Sequence, residues 1–217
     1  MFFRRKESYD RESCLDSAAK AQAAGRVKKA IGHYKRVLEA DPDDYYLVHA
    51  KIAPLLARMK KFDEAWESFR TAALRHLAAG FSQKALSLYS QAARFMPGNP
   101  DVWDAMAYVY VKQGKKADAV QTLFRGQRFF RKGHRREHAI SMLRKAFDLD
   151  PWNFEVTFEI ARLLKKVDPV ETIGLLEGLS MRVKGRELKK VRSAMFLAQP
   201  GFTMAWRWLR TAWTGPS

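Results

Sequence analysis

The segment HRREH, residues 134–138, sets two histidines one helical turn apart with a glutamate directly before the second. In a water-excluding cleft, His134 and His138 would form a pair of zinc ligands, with Glu137 as the base that activates a metal-bound water for peptide hydrolysis. The surroundings argue against that chemistry. A zinc centre needs a third ligand, and Arg125, Arg128, Arg131, Lys132, Arg135 and Arg136 crowd the segment with charge that repels a dication. No glycine-rich phosphate loop, nucleophile elbow or paired carboxylates occur elsewhere, and His33, His49 and His76 are scattered in the manner of packing or surface residues. The expectation is a protein that is not an enzyme and uses no metal and no cofactor.

A second set of residues has the chemistry of recognition. Phe124, Arg128 and Arg131 stand at offsets of zero, four and seven, and Phe158, Arg162 and Lys165 repeat the arrangement 34 residues later. An aromatic ring one helical turn from two cations puts an apolar anchor beside charge-assisted donors, which suits a partner segment mixing acidic and hydrophobic residues. Tyr108 and Lys112 extend that surface on a neighbouring helix. The competing reading makes Phe124 and Phe158 core residues and the cations a solvated face.

Composition narrows the partner class. The chain has 217 residues, 47% of them apolar, and 40 basic against 23 acidic side chains leave a formal charge of +17. That balance favours anionic partners: acidic protein segments, anionic lipid or nucleic acid. Cys14 is the single cysteine, so an internal disulfide is excluded and a reducing compartment fits. The opening MFFRRKESYD carries charge where a secretory leader needs about 7–15 apolar residues. No stretch approaches the ~20 apolar residues of a membrane span. A cytoplasmic protein is expected.

The elements that must position these residues are helices, because apolar residues recur at three and four positions while glycine and proline collect at boundaries. In FSQKALSLYSQAARFMPGNP, Ala85, Tyr89 and Ala92 precede Pro97 at fixed spacing; Ala139, Leu143, Ala146 and Pro151 repeat it, as do Ala30, Tyr34, Val37 and Pro42. Two small residues let a neighbouring helix approach closely and the larger one fills the space between. The residues opening each pattern are Ala30, Ala65, Ala85, Ala119, Ala139 and Ile173, at intervals of 35, 20, 34, 20 and 34. These intervals define a three-helix unit of 54 residues, one long helix followed by two shorter ones. Helices are expected at 7–24, 26–40, 44–59, 62–79, 82–96, 100–113, 116–132, 135–149 and 153–166. A degraded fourth unit follows at 170–182, 185–198 and 202–214.

In DVWDAMAYVYVKQGKKADAV, the residues Trp103, Met106, Ala107, Tyr110, Gly114 and Ala119 fall at the spacing of the tetratricopeptide-repeat family, and Gly25 and Gly80 occupy the matching tight turns. The chain resembles that family over roughly residues 10 to 170. The resemblance implies an all-α, right-handed solenoid of antiparallel helix pairs that works as an adaptor or scaffold. It also implies a concave groove, lined by the two cationic trios, for a protein segment. The shorter intervals depart from the family pattern, since one long helix must there serve two successive repeats.

Residues 1–168 are read as the repeat array and 169–217 as a degenerate closing segment. From Met181 to Ser217 eight basic residues face Glu187 alone, and Trp206, Trp208 and Trp213 are half of the six tryptophans. Peripheral attachment to a membrane is therefore an alternative. Against it, Leu188, Val191, Met195 and Ala198 read as a core stripe, and Trp206, Leu209 and Trp213 as the buried face of a cap. Lys189 and Lys190 are expected on an outer face. Nucleic acid is the least favoured partner, because no polar pair recurs at fixed repeat positions to read bases; a nonspecific, salt-sensitive affinity is all the charge implies. Nothing in the sequence specifies an oligomeric state.

Overall fold

The helical period of the sequence is carried through in the computed structural model, which describes residues 10–40 and 45–198. Eleven α-helices occur among the described residues. They are α1 (Arg11–Ala23), α2 (Val27–Ala40), α3 (Tyr45–Arg58), α4 (Phe62–Ala78), α5 (Ser82–Phe95), α6 (Pro100–Lys112), α7 (Lys116–Gly126), α8 (Arg136–Leu149), α9 (Phe154–Leu164), α10 (Pro169–Ser180) and α11 (Gly185–Ala198). No strand occurs among these residues. The protein is all-α. The expected closing helix at 202–214, with Trp206, Leu209 and Trp213, lies outside the described residues, as do Trp208, Pro42 and Pro200.

The chain divides into two compact units, Met1–Met106 and Ala107–Ser217. In the first, α1 packs on α2, α2 on α3, α3 on α4 and α4 on α5, and α3 also reaches α5. The alternation of small and large residues builds these contacts. Ala30, Ala65, Ala72, Ala85 and Ala92 have no exposed surface, and Tyr34, Phe69 and Tyr89 between them are buried. Trp66 packs on Tyr89 with ring centroids 5.9 Å apart. Trp103 is also buried, and its indole N–H donates to the Pro97 carbonyl at 2.9 Å, which accounts for the six-residue spacing between them.

One turn geometry recurs at four of the described helix connections. The amides of Gly25 and Arg26 donate to the carbonyls of Gln22 and Ala21, and those of Gly80 and Phe81 to Leu77 and His76. Gly114 and Lys115 repeat the pattern onto Val111 and Tyr110 in the second unit. This double bond closes a helix only if its pivot residue takes a left-handed conformation, which glycine does without a Cβ clash. Lys60 and Lys61 make the same bonds to Ala57 and Leu56, so a lysine holds a φ of 59° at this pivot.

In the second unit α7 packs on α8, α8 on α9, α9 on α10 and α10 on α11. Ala119, Ala139, Leu143 and Ala146 have no exposed surface and Leu123 is buried. Here the structure departs from the sequence reading in two places. The helix expected over 116–132 ends at Gly126 and tightens into a 3₁₀ turn, Gln127–Phe130, with a second short turn at Gly133–Arg135. Gly126 stands where Ala72 and Ala92 stand in α4 and α5, and a glycine weakens the helix at that point. The tightened turn buries Phe130 and Gln127 completely. With 11 residues in α7 against 17 in α4, the pattern of one long helix before two shorter ones does not recur in the third unit. The second departure is one of phase. Ile173 is half-buried, and the inward face of α10 is Thr172, Leu176 and Leu179, one residue earlier.

Candidate functional site

Three helices of the second unit enclose a groove of about 700 Å³. Local signals start two of them. Asn153 accepts from the Val156 amide to start α9, and Asp168 accepts from the Glu171 amide to start α10, where Pro169 supplies a ready-set first turn. Thr172 is buried because its hydroxyl donates back to the Asp168 carbonyl at 2.8 Å. A shared core of Ala161, Leu176, Leu179, Val191 and Met195 ties α9, α10 and α11 together.

The floor of the groove is apolar. Phe154 and Phe158 stack with centroids 5.5 Å apart and planes 19° from parallel, half-buried against that core. Ala194 and Leu197 of α11 continue the surface. The rim is cationic on both walls: Arg162 and Lys165 from α9 face Arg186, Lys189 and Lys190 from α11, and Glu155 is the one acid among the lining residues. Cations lining one cleft add their fields there, although Arg162 shares its charge with Glu159.

Of the sequence-predicted site residues, Phe158, Arg162 and Lys165 line this groove. Phe124 and Arg128 do not; they form a pair of their own, the guanidinium 5.7 Å from the ring centroid, and Tyr108 and Lys112 form another at 5.4 Å. Phe124 is half-buried, intermediate between the two expectations for it, and Tyr108 is exposed. Lys189 and Lys190, expected on an outer face, stand in the groove wall instead. The reason is tertiary. Val191 and Met195 turn inward onto α9 and α10, and that rotation carries Lys189, Lys190, Ser193 and Ala194 to the cleft.

A residue that spacing alone did not single out organises the cations. Glu159 keeps only 10% of its side-chain surface exposed and takes Arg162 in a two-pronged grip, Nε and Nη2 each at 2.8 Å. Arg131 reaches the same carboxylate at 2.7 Å and is steadied by the Gln127 side chain, whose Oε1 accepts from its Nε at 3.1 Å. The hydrogen bonds from Arg162 to Glu159 push that guanidinium's pKa further up, so its charge is fixed. Arg131 and Arg162 thus share a buried counter-ion. The i, i+3 spacing of Glu159 and Arg162 is the signal that points to half of this cluster.

The HRREH segment spans a 3₁₀ turn and the first residues of α8. His138 meets the buried Phe130 edge-on at 5.7 Å, and among the described residues no three histidine, cysteine or carboxylate side chains gather where a metal ion would sit.

The sequence pattern described as "Tetratricopeptide repeat" matches residues 76–136. No curated protein matches the chain. Among solved structures, a tetratricopeptide repeat protein from Parabacteroides merdae ATCC 43184 is 14% identical, with 93% of this chain and 91% of that one aligned at a TM-score of 0.30. A MamA protein is 12% identical over 93% and 87% at 0.29, and a second MamA structure 14% identical over 90% and 91% at 0.34. Scores this low bear neither on the arrangement of the helices nor on function. The family pattern falls on the stretch that holds Gly80, Ala85, Tyr89, Ala92, Trp103, Gly114 and Ala119, the residues that build the turns and close contacts described above. Residues 76–136 thus carry the tetratricopeptide-repeat pattern.

Proposed function

We propose that the protein is a non-catalytic adaptor that holds an acidic, hydrophobic segment of a protein partner in the groove of α9, α10 and α11. The observation that carries this reading is the pairing of an apolar floor, Phe154 and Phe158, with cations from both α9 and α11 and a single acid among the lining residues. A segment entering the groove buries apolar side chains on the stacked rings, while its carboxylates meet Lys165, Arg186, Lys189 and Lys190. Arg162 enters already oriented by Glu159, so it contributes a donor with little ordering cost. Phe124 with Arg128, and Tyr108 with Lys112, extend recognition as separate aromatic–cation pairs. Cytoplasmic placement belongs to the same reading, since Cys14 is a buried free thiol. Among the described residues no helix is long and apolar enough to cross a membrane.

A displayed peptide library panned against the protein tests the reading. Enriched sequences should combine aspartate or glutamate with leucine or an aromatic residue. Lys165→Glu with Lys189→Glu should lose them by like-charge repulsion, while Lys28→Glu with Lys29→Glu, an exposed pair on α2, removes the same charge and keeps them. Equal losses in the two variants would reduce the groove to nonspecific electrostatics.

A further inference from the structure

Two tryptophans of the first unit, Trp66 and Trp103, are 9% and 5% exposed, whereas Trp152 is 74% exposed. It stands in the turn between α8 and α9, after Pro151. The turn between α10 and α11 lies beside it, because the Arg182 guanidinium covers the Trp152 ring at 4.3 Å from the centroid. Next to Arg182, Met181 is 85% exposed. Two adjacent helix-connecting turns therefore present an indole and a thioether to water, surrounded by the exposed cations Arg182, Lys184 and Arg186. Asp150, the acid nearest in sequence to the indole, is occupied: one oxygen accepts from the Trp152 amide at 3.2 Å and the other from the Asn153 side chain at 3.3 Å.

We propose that this tip, Trp152, Met181 and Arg182, is a contact with an anionic lipid surface. Tryptophan prefers the boundary between headgroups and acyl chains, where its ring is in an apolar medium and its N–H stays hydrated. Methionine beside it adds flexible apolar surface. A guanidinium stacked on an aromatic face keeps its in-plane N–H groups for phosphate oxygens, so Arg182 holds the indole outward and reaches a headgroup at once. Lys184 and Arg186 add attraction to the negative leaflet. The chemistry of a protein hot spot is different: there the aromatic fills a desolvated pocket ringed by neutral contacts. Here the apolar groups project into water, with Arg182 on the indole face and Lys184 and Arg186 exposed just beyond it in the chain. Arg186 also lines the peptide groove, but Trp152, Met181, Arg182 and Lys184, the side chains altered in the test, do not.

Sedimentation with phosphatidylcholine vesicles, with and without about 30% phosphatidylserine, tests it. The protein should partition onto the anionic vesicles and not onto the neutral ones. Trp152→Ser with Met181→Ser should weaken that partitioning at least about tenfold, and Arg182→Glu with Lys184→Glu should do the same. Lys28→Glu with Lys29→Glu controls for charge and should retain most of it. An environment-sensitive dye on Met181→Cys, in a Cys14→Ser background, should shift to the blue when anionic vesicles are added, which reads insertion without removing Trp152. Failure of the unaltered protein to bind anionic vesicles overturns the proposal, and so does a dye that does not respond. Full binding by the Trp152→Ser, Met181→Ser variant also overturns it, by placing the attachment elsewhere in the chain.

Discussion

The two units are built from the same packing rule, and the second, beside a surface pair of its own in Arg144–Glu171, also buries charge. In the first, the alanine stripes of α2, α4 and α5 are sealed, and ion pairs such as Lys20–Asp16, Lys35–Glu64, Lys61–Glu64 and Arg70–Glu67 lie on the surface with both partners more than 40% exposed. In the second, α7 breaks at Gly126, a carboxylate is buried between two arginines, a cationic groove opens and a tryptophan projects into water. Where the repeat keeps its small residues the helices close on one another and charges are left to solvent. Where it departs, polar groups are drawn inward and clefts form. The groove and the exposed tryptophan both lie in the unit that departs.

The sharpest test of the shared rule places the same change in each unit. Ala85 and Ala139 have no exposed surface, so replacing either with leucine forces apart a close helix contact and should destabilise by about 1–3 kcal/mol. Denaturant or thermal melts should give similar losses for both. A large loss in one and none in the other would show that the two units are not packed by a common rule.

Much of this was legible in advance. Ala30, Ala65, Ala85, Ala119 and Ala139 were picked out by interval alone and all have no exposed surface, because small residues at helical spacing have few uses besides close approach. The helix ends followed from glycine and proline chemistry. The groove was only half legible. Phe158, Arg162 and Lys165, picked out by spacing, line it, and the inward Val191 and Met195 of α11 were legible too; that α11 packs its neighbouring face, with Lys189 and Lys190, toward α9 is a tertiary outcome that spacing did not give. Thr172 was missed for Ile173 since apolar character outranks a hydroxyl in pattern reading, until the hydroxyl bonds to its own backbone. Trp152 carried no signal, because one aromatic in a turn reads as packing until its exposure is known.

The contrast in charge is broken next. Removing the Glu159 carboxylate, as in Glu159→Ala, leaves Arg131 and Arg162 without their shared partner. It should cost about 1–3 kcal/mol, below the ~3–5 of a fully buried pair because both guanidinium groups keep some solvent. Raising the salt concentration should change that cost little, since Glu159 is shielded from ions. A cost that disappears in salt would place Glu159 with the surface pairs of the first unit.

A smaller effect, of the opposite sign, comes from the turn at Lys60. At a φ of 59° a side chain is strained, and Gly25, Gly80 and Gly114 show which residue the same bonding pattern prefers. Lys60→Gly should stabilise the protein by up to about 1 kcal/mol, read as a raised melting temperature. Destabilisation would mean that the lysine side chain contributes more than its backbone conformation costs.

The smallest effect belongs to Glu64, and its sign can be worked out from its partners. Hydrogen bonds from Lys35 on α2 and Lys61 beside α4 hold its carboxyl below the ordinary value of 4.5. The unfolded chain therefore takes up the proton first as the pH falls. Stability from these pairs is fully present above the unfolded value and is lost as the pH drops through the lower folded one. All three side chains are more than 40% exposed, so water and salt screen the interaction to about 0.2–1 kcal/mol. Melts of the unaltered protein and of Glu64→Gln should differ by that amount near neutral pH, converge in acid, and converge also in high salt at neutral pH. If the difference instead survives high salt, the Lys35–Glu64–Lys61 bridge behaves like the buried Arg131–Glu159–Arg162 cluster, and the division of labour between the two units fails at its first-unit end.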